Sequence, residues 1–491
     1  MSREAEPSPQ SQPAEATTES LLSKIASTMV RDPGDMPVAV DWVTKLAQQV
    51  MEGVMTVSTD VDKMINLRMS QLDELISLQL NEVMHDEDFQ RLEAAWRGLA
   101  YLVNETETSS SMKIKVMNVS KSDLKKDLTT ASEFDQSQIF KKVYEEEYGT
   151  LGGNPYGVLI GDYEFGRSPE DMVLLEGMSK VAMASHAPFI AASSPTMLNF
   201  DRFTELSGPR DLEKIFESDA YIKWKMFRET EESKYVGLCL PHVLLRLPYG
   251  KETVPVEQFD YEEKVDGRDH SKYLWGNAAY AFAARLTDAF AKHEWCAAIR
   301  GVEGGGLVKG LPTHTFMTDE GDIATKCPTE LAITERRENE LSRLGFIPLC
   351  YYKGTDRGVF MAAQSSNKAK QYMDPDATAN ASLSAQLQYT LAAGRFAHFL
   401  KVIMRDKVGS FMSKDNCQEF LNKWIANYVL LDDRAGQEAK ARYPLREADV
   451  QVTEIAGKPG WYSAVAYLRP HFQLEGIKVS LRWVTKVPKK G

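Results

Sequence analysis

The sequence predicts an α/β protein in which helices precede the α/β domain and a smaller α+β region follows it. Three observations support this prediction. Apolar residues recur at a helical period between residues 61 and 104, a strand–helix–strand pattern occupies residues 156–192, and period-two alternation begins after Asp449. We therefore expect a partly disordered arm over residues 1–60, a helical entry plus α/β domain over residues 61–375, and a C-terminal α+β domain over residues 376–491.

The composition favours a cytoplasmic protein that neither binds nucleic acid nor inserts into a membrane. Of 491 residues, 43% are hydrophobic, and the formal net charge of -12 opposes binding to a phosphate backbone. Five cysteines are dispersed from Cys239 to Cys417, which suits a reducing compartment. No apolar run approaches the roughly 20 residues that span a bilayer, and residues 1–18 lack the pattern of a secretory signal.

Two helices with apolar stripes are predicted in the entry region. Because a stripe at the helical period is usually buried, we expect both to pack into the core. The first stripe comprises Ile65, Met69, Leu72, Ile76, Leu80 and Val83, and the second comprises Phe89, Leu92, Trp96 and Leu99.

A strand–helix–strand unit is predicted in the middle of the chain. The apolar run 156–161 fits a buried strand, Ser168 and Pro169 suit the cap and first turn of a helix, and the run 188–192 fits the returning strand. Such a crossover feeds a parallel sheet. Gly345 is well placed to end a second helix directly before another strand.

The last third of the sequence predicts two long buried helices followed by strands. The final strand, over residues 477–487, alternates cleanly, and a strand at a chain terminus can complete its own sheet or join that of a neighbour. We expect it to pair between subunits. Its apolar face comprises Ile477, Val479, Leu481 and Trp483.

The sequence offers no complete catalytic, cofactor or metal motif, so we expect none of these sites. Asp162 and Glu164 would repel a phosphate near Gly161, and the glycine-rich stretch beginning at Gly301 is better explained as a turn. The alternative is an α/β enzyme that uses a nucleotide or a metal near Gly161 or Gly301.

Two charged segments are candidate contacts with a neighbouring protein. Lys223, Lys225 and Arg228 alternate with aromatic residues, which can stack on single-stranded nucleic acid, but following acids stand at ion-pairing spacing and favour a self-satisfied helix. The segment 334–344 carries many charges beside a narrow apolar stripe, which predicts an exposed helix. Its candidate contact residues are Arg336, Arg337 and Glu340.

Several stretches together resemble the large subunit of the contractile sheath of the bacterial type VI secretion system. The similarity runs from about Phe89 to Pro488. The matching stretches are Leu92–Leu99, Ile160–Phe165, Leu245–Gly250, Leu274–Asn277, Gly301–Gly306, Glu338–Leu341, Gly345–Leu349 and Leu468–Leu474.

The resemblance implies a fold like that of phage tail-sheath proteins and a structural role. It implies pairing with a smaller sheath subunit, polymerisation of identical heterodimers into a helical tube around hexameric inner-tube rings, growth on a baseplate, and recycling of the contracted sheath by a ring ATPase. Lys223, Lys225, Arg336, Arg337 and Glu340 are then candidate contacts with the inner tube or a neighbour.

Overall fold

The computed structural model describes residues 27, 30, 33–51, 61–208, 211–318, 320–410, 413–457, 461–471 and 473. These residues form two compact units. The smaller unit contains the described residues up to Asn81 together with Gly250–Glu262, and the larger contains Glu82–Tyr249 with the described residues from Glu263 onward. The predicted terminal strand, with Ile477, Val479, Leu481 and Trp483, lies outside the described residues.

The order of helices and strands agrees with the predicted α/β class. The α-helices are α1 (Met36–Met51), α2 (Val61–Met84), α3 (Glu87–Asn104), α4 (Lys121–Thr130), α5 (Gln138–Phe140), α6 (Pro169–Ser185), α7 (Leu212–Glu217), α8 (Ile222–Arg228), α9 (Ala278–His293), α10 (Glu335–Arg343), α11 (Pro375–Ser384), α12 (Leu387–Asp406), α13 (Lys414–Ala426) and α14 (Gln437–Arg442). The strands are β1 (Leu159–Phe165), β2 (Phe189–Ser193), β3 (Val236–Leu240), β4 (Val243–Leu244), β5 (Trp275–Gly276), β6 (Leu307–Val308), β7 (Thr315–Met317), β8 (Ile323–Thr325), β9 (Ile347–Tyr352), β10 (Arg357–Phe360), β11 (Leu445–Glu454) and β12 (Tyr462–Pro470).

A six-stranded sheet forms the centre of the larger unit, in the order β1-β2-β3-β9-β10-β6. β1, β2, β3 and β9 run parallel, and β10 is antiparallel to both β9 and β6. The predicted strand–helix–strand unit is confirmed, with α6 as the crossover between β1 and β2.

The start of α6 follows from its sequence. The Ser168 hydroxyl accepts a hydrogen bond from the Asp171 N–H, Pro169 occupies the first turn, where its missing N–H is not needed, and Asp171 adds negative charge near the helix N-terminus. The predicted end of α10 is confirmed as well, because Gly345 adopts the left-handed φ of 90° directly before β9.

Helices cover both faces of the sheet. Alternate side chains of β2 point to opposite sides, so Phe189 and Ala191 join one cluster with α6, whereas Ile190 joins another with α9. This three-layer arrangement buries both faces of the parallel strands, which explains why every residue of β2 is buried.

The C-terminal region has its own core. Helices α12 and α13 pack on the β11–β12 hairpin, with Leu421 and Val450 fully buried between them. Trp295 stacks on Phe396 with ring centroids 4.2 Å apart and thereby ties α12 to the chain after α9. The predicted helices and period-two strands of this region are confirmed up to Pro470.

Candidate assembly surfaces

The smaller unit presents a large apolar helical face to solvent. On α2, Ile65, Met69, Leu72 and Ile76 are all exposed, Met69 to 55% of its surface. The prediction that this stripe packs into the core is therefore wrong for the single chain. An apolar stripe on a helix indicates a face that is usually buried, but it does not identify what buries it. Spacings of four and three residues between apolar side chains are typical of helices that pair with another helix.

The larger unit has a second apolar face, on α3. Leu92 and Trp96 are 57% and 66% exposed, so the core prediction is wrong for these two residues, whereas Leu99 packs against the cluster of Leu102 and Tyr280. The buried side of α3 is the opposite one, through Gly98 and Leu102. A Cβ atom at Gly98 would lie 2.4 Å from Cδ2 of Tyr280 on α9, so only glycine permits this close approach.

A buried charge cluster holds α3 in this orientation. The Arg246 guanidinium donates to Glu263 Oε2 at 2.6 Å and to Glu93 Oε1 at 2.8 Å, and it lies over the Tyr249 ring. Glu93 also accepts a hydrogen bond from Arg97 Nε at 2.7 Å. Because Glu93 and Arg97 belong to α3, the cluster fixes the helix while Trp96, between them in sequence, faces outward. No local pattern in the sequence reveals that Glu93 and Arg246, which lie about 150 residues apart in the chain, are partners.

The β11–β12 hairpin has one occupied edge and one open edge. Asn422 on α13 both donates to the Val450 carbonyl and accepts from its N–H, and Gln418 accepts from the Val452 N–H. The outward N–H and carbonyl of Val450 and the outward N–H of Val452 are thus engaged. Opposite Val450 and Val452 stand Ala466 and Ala464 of β12, whose backbone groups therefore also point outward, away from β11.

The outward backbone groups of Ala464 and Ala466 have no hydrogen-bond partner in the described part of the chain. Val465 and Tyr467, on the open face of the same strand, are both exposed. Unpaired edges with apolar side chains are where additional strands join a sheet. The edge of β12 is therefore a candidate site of strand addition.

The candidate charged residues divide into exposed and engaged groups. Lys223 and Arg336 are exposed. Lys225 Nζ donates to the Glu217 carbonyl at 2.6 Å. Arg337 donates to Glu340 Oε2 at 2.6 Å and to the Gly208 carbonyl, and Glu340 also accepts from the Leu212 N–H.

The helix α10, predicted to be exposed beside a narrow apolar stripe, is exposed on only part of its surface. Arg337 and Glu340 hold it against Gly208 and Leu212, and Leu341 is fully buried. Whether Arg336, Arg337 and Glu340 contact a neighbour stays a prediction, and the exposed Arg336 is the better placed.

The predicted ion pairing of Arg228 is also wrong. Its guanidinium is buried and donates to the Ser366 and Arg343 carbonyls at 3.0 and 2.7 Å. Burial lowers the pKa of Arg228 to about 10. Its role is to hold the end of α10 and the chain after β10, so it is not part of a surface that could stack on nucleic acid.

The two candidate enzyme sites turn out to be structural. Gly161 lies inside β1, not in a loop after it; Asp162 accepts from Asn277, and Glu164 pairs with His242. The glycine-rich stretch is a tight turn in which Gly301 donates to the Phe360 carbonyl and Gly306 donates back to Gly301. Neither place supports the alternative of a nucleotide or metal site.

His242 is the centre of a second charge cluster that the sequence did not reveal. Its Nδ1 lies 2.6 Å from Glu330 Oε2 and its Nε2 lies 2.9 Å from Glu164 Oε1. Burial opposes the charge on the ring, but the two carboxylates outweigh it and raise the pKa of His242 to about 10. The charged imidazolium joins β1, β4 and the segment before α10.

Within the described ranges, no three His, Cys, Asp or Glu side chains are grouped as metal ligands. The helices of the described chain also lack the length and apolar content needed to cross a membrane. What the described surface does offer is two uncovered apolar helix faces and an open strand edge.

Comparisons with known proteins match the chain to tail sheath domains. Residues 66–367 match the family model described as VipB, EvpB/VC_A0108 tail sheath N-terminal domain, and residues 376–487 match the EvpB/VC_A0108 tail sheath gpW/gp25-like domain. The type VI secretion system sheath protein TssC1 of Pseudomonas aeruginosa is 52% identical over 449 residues, which cover 91% of this chain and 90% of the relative.

Two solved structures were also matched. The anti-feeding prophage baseplate gives a TM-score of 0.37 at 10% identity, covering 77% of this chain and 84% of the other. The contracted helical sheath of the anti-feeding prophage gives 0.30 at 12% identity, covering 64% and 67%. On the two family models and the identity to a known sheath protein, the chain belongs to the VipB (EvpB/VC_A0108) tail sheath family.

Proposed function

We propose that this chain is the large structural subunit of a contractile type VI secretion sheath and acts in the cytoplasm. The observation that carries the proposal is the 52% identity, over 91% of the chain, to a type VI secretion system sheath protein. The resemblance seen in the sequence implies the same role. Function then resides in surfaces that join subunits, and catalysis needs no site in this chain.

Pairing with a smaller sheath subunit accounts for the uncovered apolar faces. Exposed Met69 and Ile76 on α2, and exposed Leu92 and Trp96 on α3, are costly in water, since each large side chain is worth about 1.5–3 kcal/mol on burial. A partner that covers either face would therefore be bound mainly by apolar burial. Charged residues exposed at Lys223 and Arg336 are left for neighbours, for the inner tube, or for the baseplate.

Coexpression with the small sheath subunit tests the proposed function directly. We expect the two chains to copurify and to form hollow tubes visible by negative-stain electron microscopy, whereas each chain alone forms none. Copurification with inner-tube hexamers, and tube disassembly by the recycling ATPase, would extend the test to those partners. A monomeric chain that ignores the small subunit would contradict the proposal.

Polymerisation is proposed to use strand exchange at the open edge of β12. The segment 477–487, with its alternating apolar residues, is the proposed donor strand, and the outward backbone groups of Ala464 and Ala466 support β12 as the acceptor. Each backbone hydrogen bond contributes about 0.5–1.5 kcal/mol. Several such bonds, with burial of Val465 or Tyr467, would tether adjacent subunits firmly.

Contraction is proposed to proceed between two lattices that keep these tethers and differ in contacts between the subunit bodies. A small free-energy difference per subunit, multiplied over many copies, supplies the work. Deletion of residues 475–491 should therefore abolish tubes while the heterodimer still forms. Tubes that assemble and contract normally without these residues would contradict the tether.

A further inference from the structure

The segment between α3 and α4 has the character of a strand but no strand partner. From Lys113 to Val119 the chain runs without helix, turn or bend, and it reads Lys-Ile-Lys-Val-Met-Asn-Val. From Lys113 to Val116, β-branched residues alternate with lysines in a pattern typical of strands. Over the described ranges, no N–H group from Lys113 to Ser120 donates a hydrogen bond, and no carbonyl from Lys113 to Asn118 accepts one.

Side chains hold this segment in place instead of backbone pairing. Ile114 packs on the cluster of Leu102 and Tyr280, and Val119 packs on the main core beside α6. Tyr163 Oη on β1 donates to the Val119 carbonyl at 2.8 Å. The segment is anchored at both ends, and the backbone groups between the anchors are unpaired. Hydrogen bonds from an added strand would pair these groups and stabilise the segment.

The exposed side chains in the middle of the segment are apolar. Val116 is 68% exposed and Met117 is 49% exposed, although Ile114 and Val119 on either side are partly buried. An extended backbone with unpaired groups and uncovered apolar side chains is the combination used when a peptide strand is added to a protein.

Charge indicates what kind of strand fits. Lys115 pairs with Glu147 and Lys121 pairs with Asp171, whereas Lys113 has no ion pair in the described chain. The remaining positive charge favours an acidic strand. The end of this chain is a poor candidate, because residues 474–491 carry Lys478, Arg482, Lys486, Lys489 and Lys490 against the single acid Glu475.

We propose that residues 113–119 accept an extended strand from a different polypeptide, with apolar side chains opposite Val116 and Met117 and an acidic side chain opposite Lys113. This site is separate from the β12 edge and from the apolar helix faces. The inference rests on the proposed function in one respect, since the donor is sought in the small sheath subunit.

Hydrogen exchange tests the proposal on the full chain, alone and in the copurified heterodimer. In the chain alone, the amides from Lys113 to Ser120 should exchange rapidly. In the heterodimer they should slow by about 100-fold or more. Protection in the chain alone would overturn the proposal, because the segment would then be paired internally. Protection found only in tubes would overturn it too, because the donor would be a second copy.

A matched pair of variants separates backbone pairing from side-chain packing. V116P removes one N–H and blocks the ladder, whereas V116T keeps the backbone and the β-branched shape. We expect V116P to weaken binding of the small subunit by about tenfold or more, and V116T to bind nearly as wild type. Both should unfold near the wild-type temperature, since no internal backbone bond is lost.

Two outcomes keep this inference distinguishable from the proposed function. V116P binding and assembling like wild type would overturn the strand site while leaving the sheath function intact. Failure of the wild-type chains to associate would contradict the sheath function. Hydrogen exchange in the free chain would still test the strand site, because rapid exchange of residues 113–120 supports unpaired backbone groups and slow exchange contradicts them.

Discussion

His242 lies between the carboxylates of Glu164 and Glu330, at 2.9 and 2.6 Å, and is largely removed from water. Its charge offsets two acids that would otherwise repel each other, the buried Glu330 and the half-exposed Glu164. Removing one partner of a buried ion pair leaves the other uncompensated, which is more costly than the pair is favourable.

Replacing His242 by Gln should destabilise the chain by about 1–3 kcal/mol, because the buried Glu330 and the half-exposed Glu164 lose their shared cation. The free energy of unfolding from urea titrations measures this loss. H242Q/E330Q, with one acid neutralised, should recover part of it. Equal stability of wild type and H242Q at pH 7 would contradict a charged His242.

The same residue predicts a pH dependence. The folded pKa of His242 is raised to about 10, above its unfolded value near 6.5. Its stabilisation is therefore fully present below pH 6.5 and is lost as the pH rises towards 10, at a slope of up to about 1.4 kcal/mol per pH unit. The difference in unfolding free energy between wild type and H242Q, measured from pH 6 to 10, should shrink as the pH rises.

Arg336 and Arg337 are neighbours in sequence with different roles. Because Arg336 is exposed, R336E should change stability by less than about 0.5 kcal/mol, yet it should reduce capture of inner-tube hexamers if the proposed contact exists. R337E loses bonds to Glu340 and the Gly208 carbonyl, so it should lower stability by about 2 kcal/mol. Pull-down and thermal unfolding distinguish the two effects.

At the level of secondary structure, α3 has one buried face and one exposed apolar face. Its buried face meets Tyr280 through Gly98 and Leu102, while Trp96 faces solvent. The Arg246 cluster fixes which face is which.

This division predicts opposite phenotypes for two truncations on α3. W96S should leave the unfolding temperature nearly unchanged and weaken copurification with the small subunit, because it removes only exposed apolar surface. L102A should lower stability by about 2–5 kcal/mol. Loss of stability in W96S, or normal partner binding by it, would argue against a docking face.

Local signals in the sequence predicted the secondary structure well. The Ser168 cap, the first-turn Pro169 and the Gly345 stop each act within a few residues, so they could be recognised. β1 was placed too early, at residues 156–161, because Asp162 and Glu164 look like loop acids. They are accommodated in the strand by Asn277 and His242, more than 75 residues away, and no local pattern reveals such partners.

At the scale of the whole molecule, the family resemblance in the sequence identified the architecture and the sheath role, and the family models agree with both. Periodicity did not distinguish buried stripes from exposed ones within this chain. The stripes through Ile76 and Trp96 have the pattern of core, and a single sequence does not state whether one chain or two form that core. The charged contacts at Arg336 and Lys223 stay predictions for the same reason.

The open edge of β12 gives a prediction for the assembly. A464P removes an outward N–H on an exposed residue without breaking the ladder to β11, so the chain should keep its stability within about 1 kcal/mol. The heterodimer should still form, while tube yield seen by electron microscopy falls sharply. A464S is the matched control and should assemble normally. Normal tubes from A464P would show that strands join elsewhere.

The amides of Asn422 and Gln418 have a consequence beyond the hairpin that they cap. Under the proposed strand exchange, each copy would accept a strand at the β12 edge and not at β11, where these amides bond to Val450 and Val452. A polymer joined in this way has a head and a tail. Such a polymer grows with a defined polarity, and aggregation through the β11 edge is suppressed.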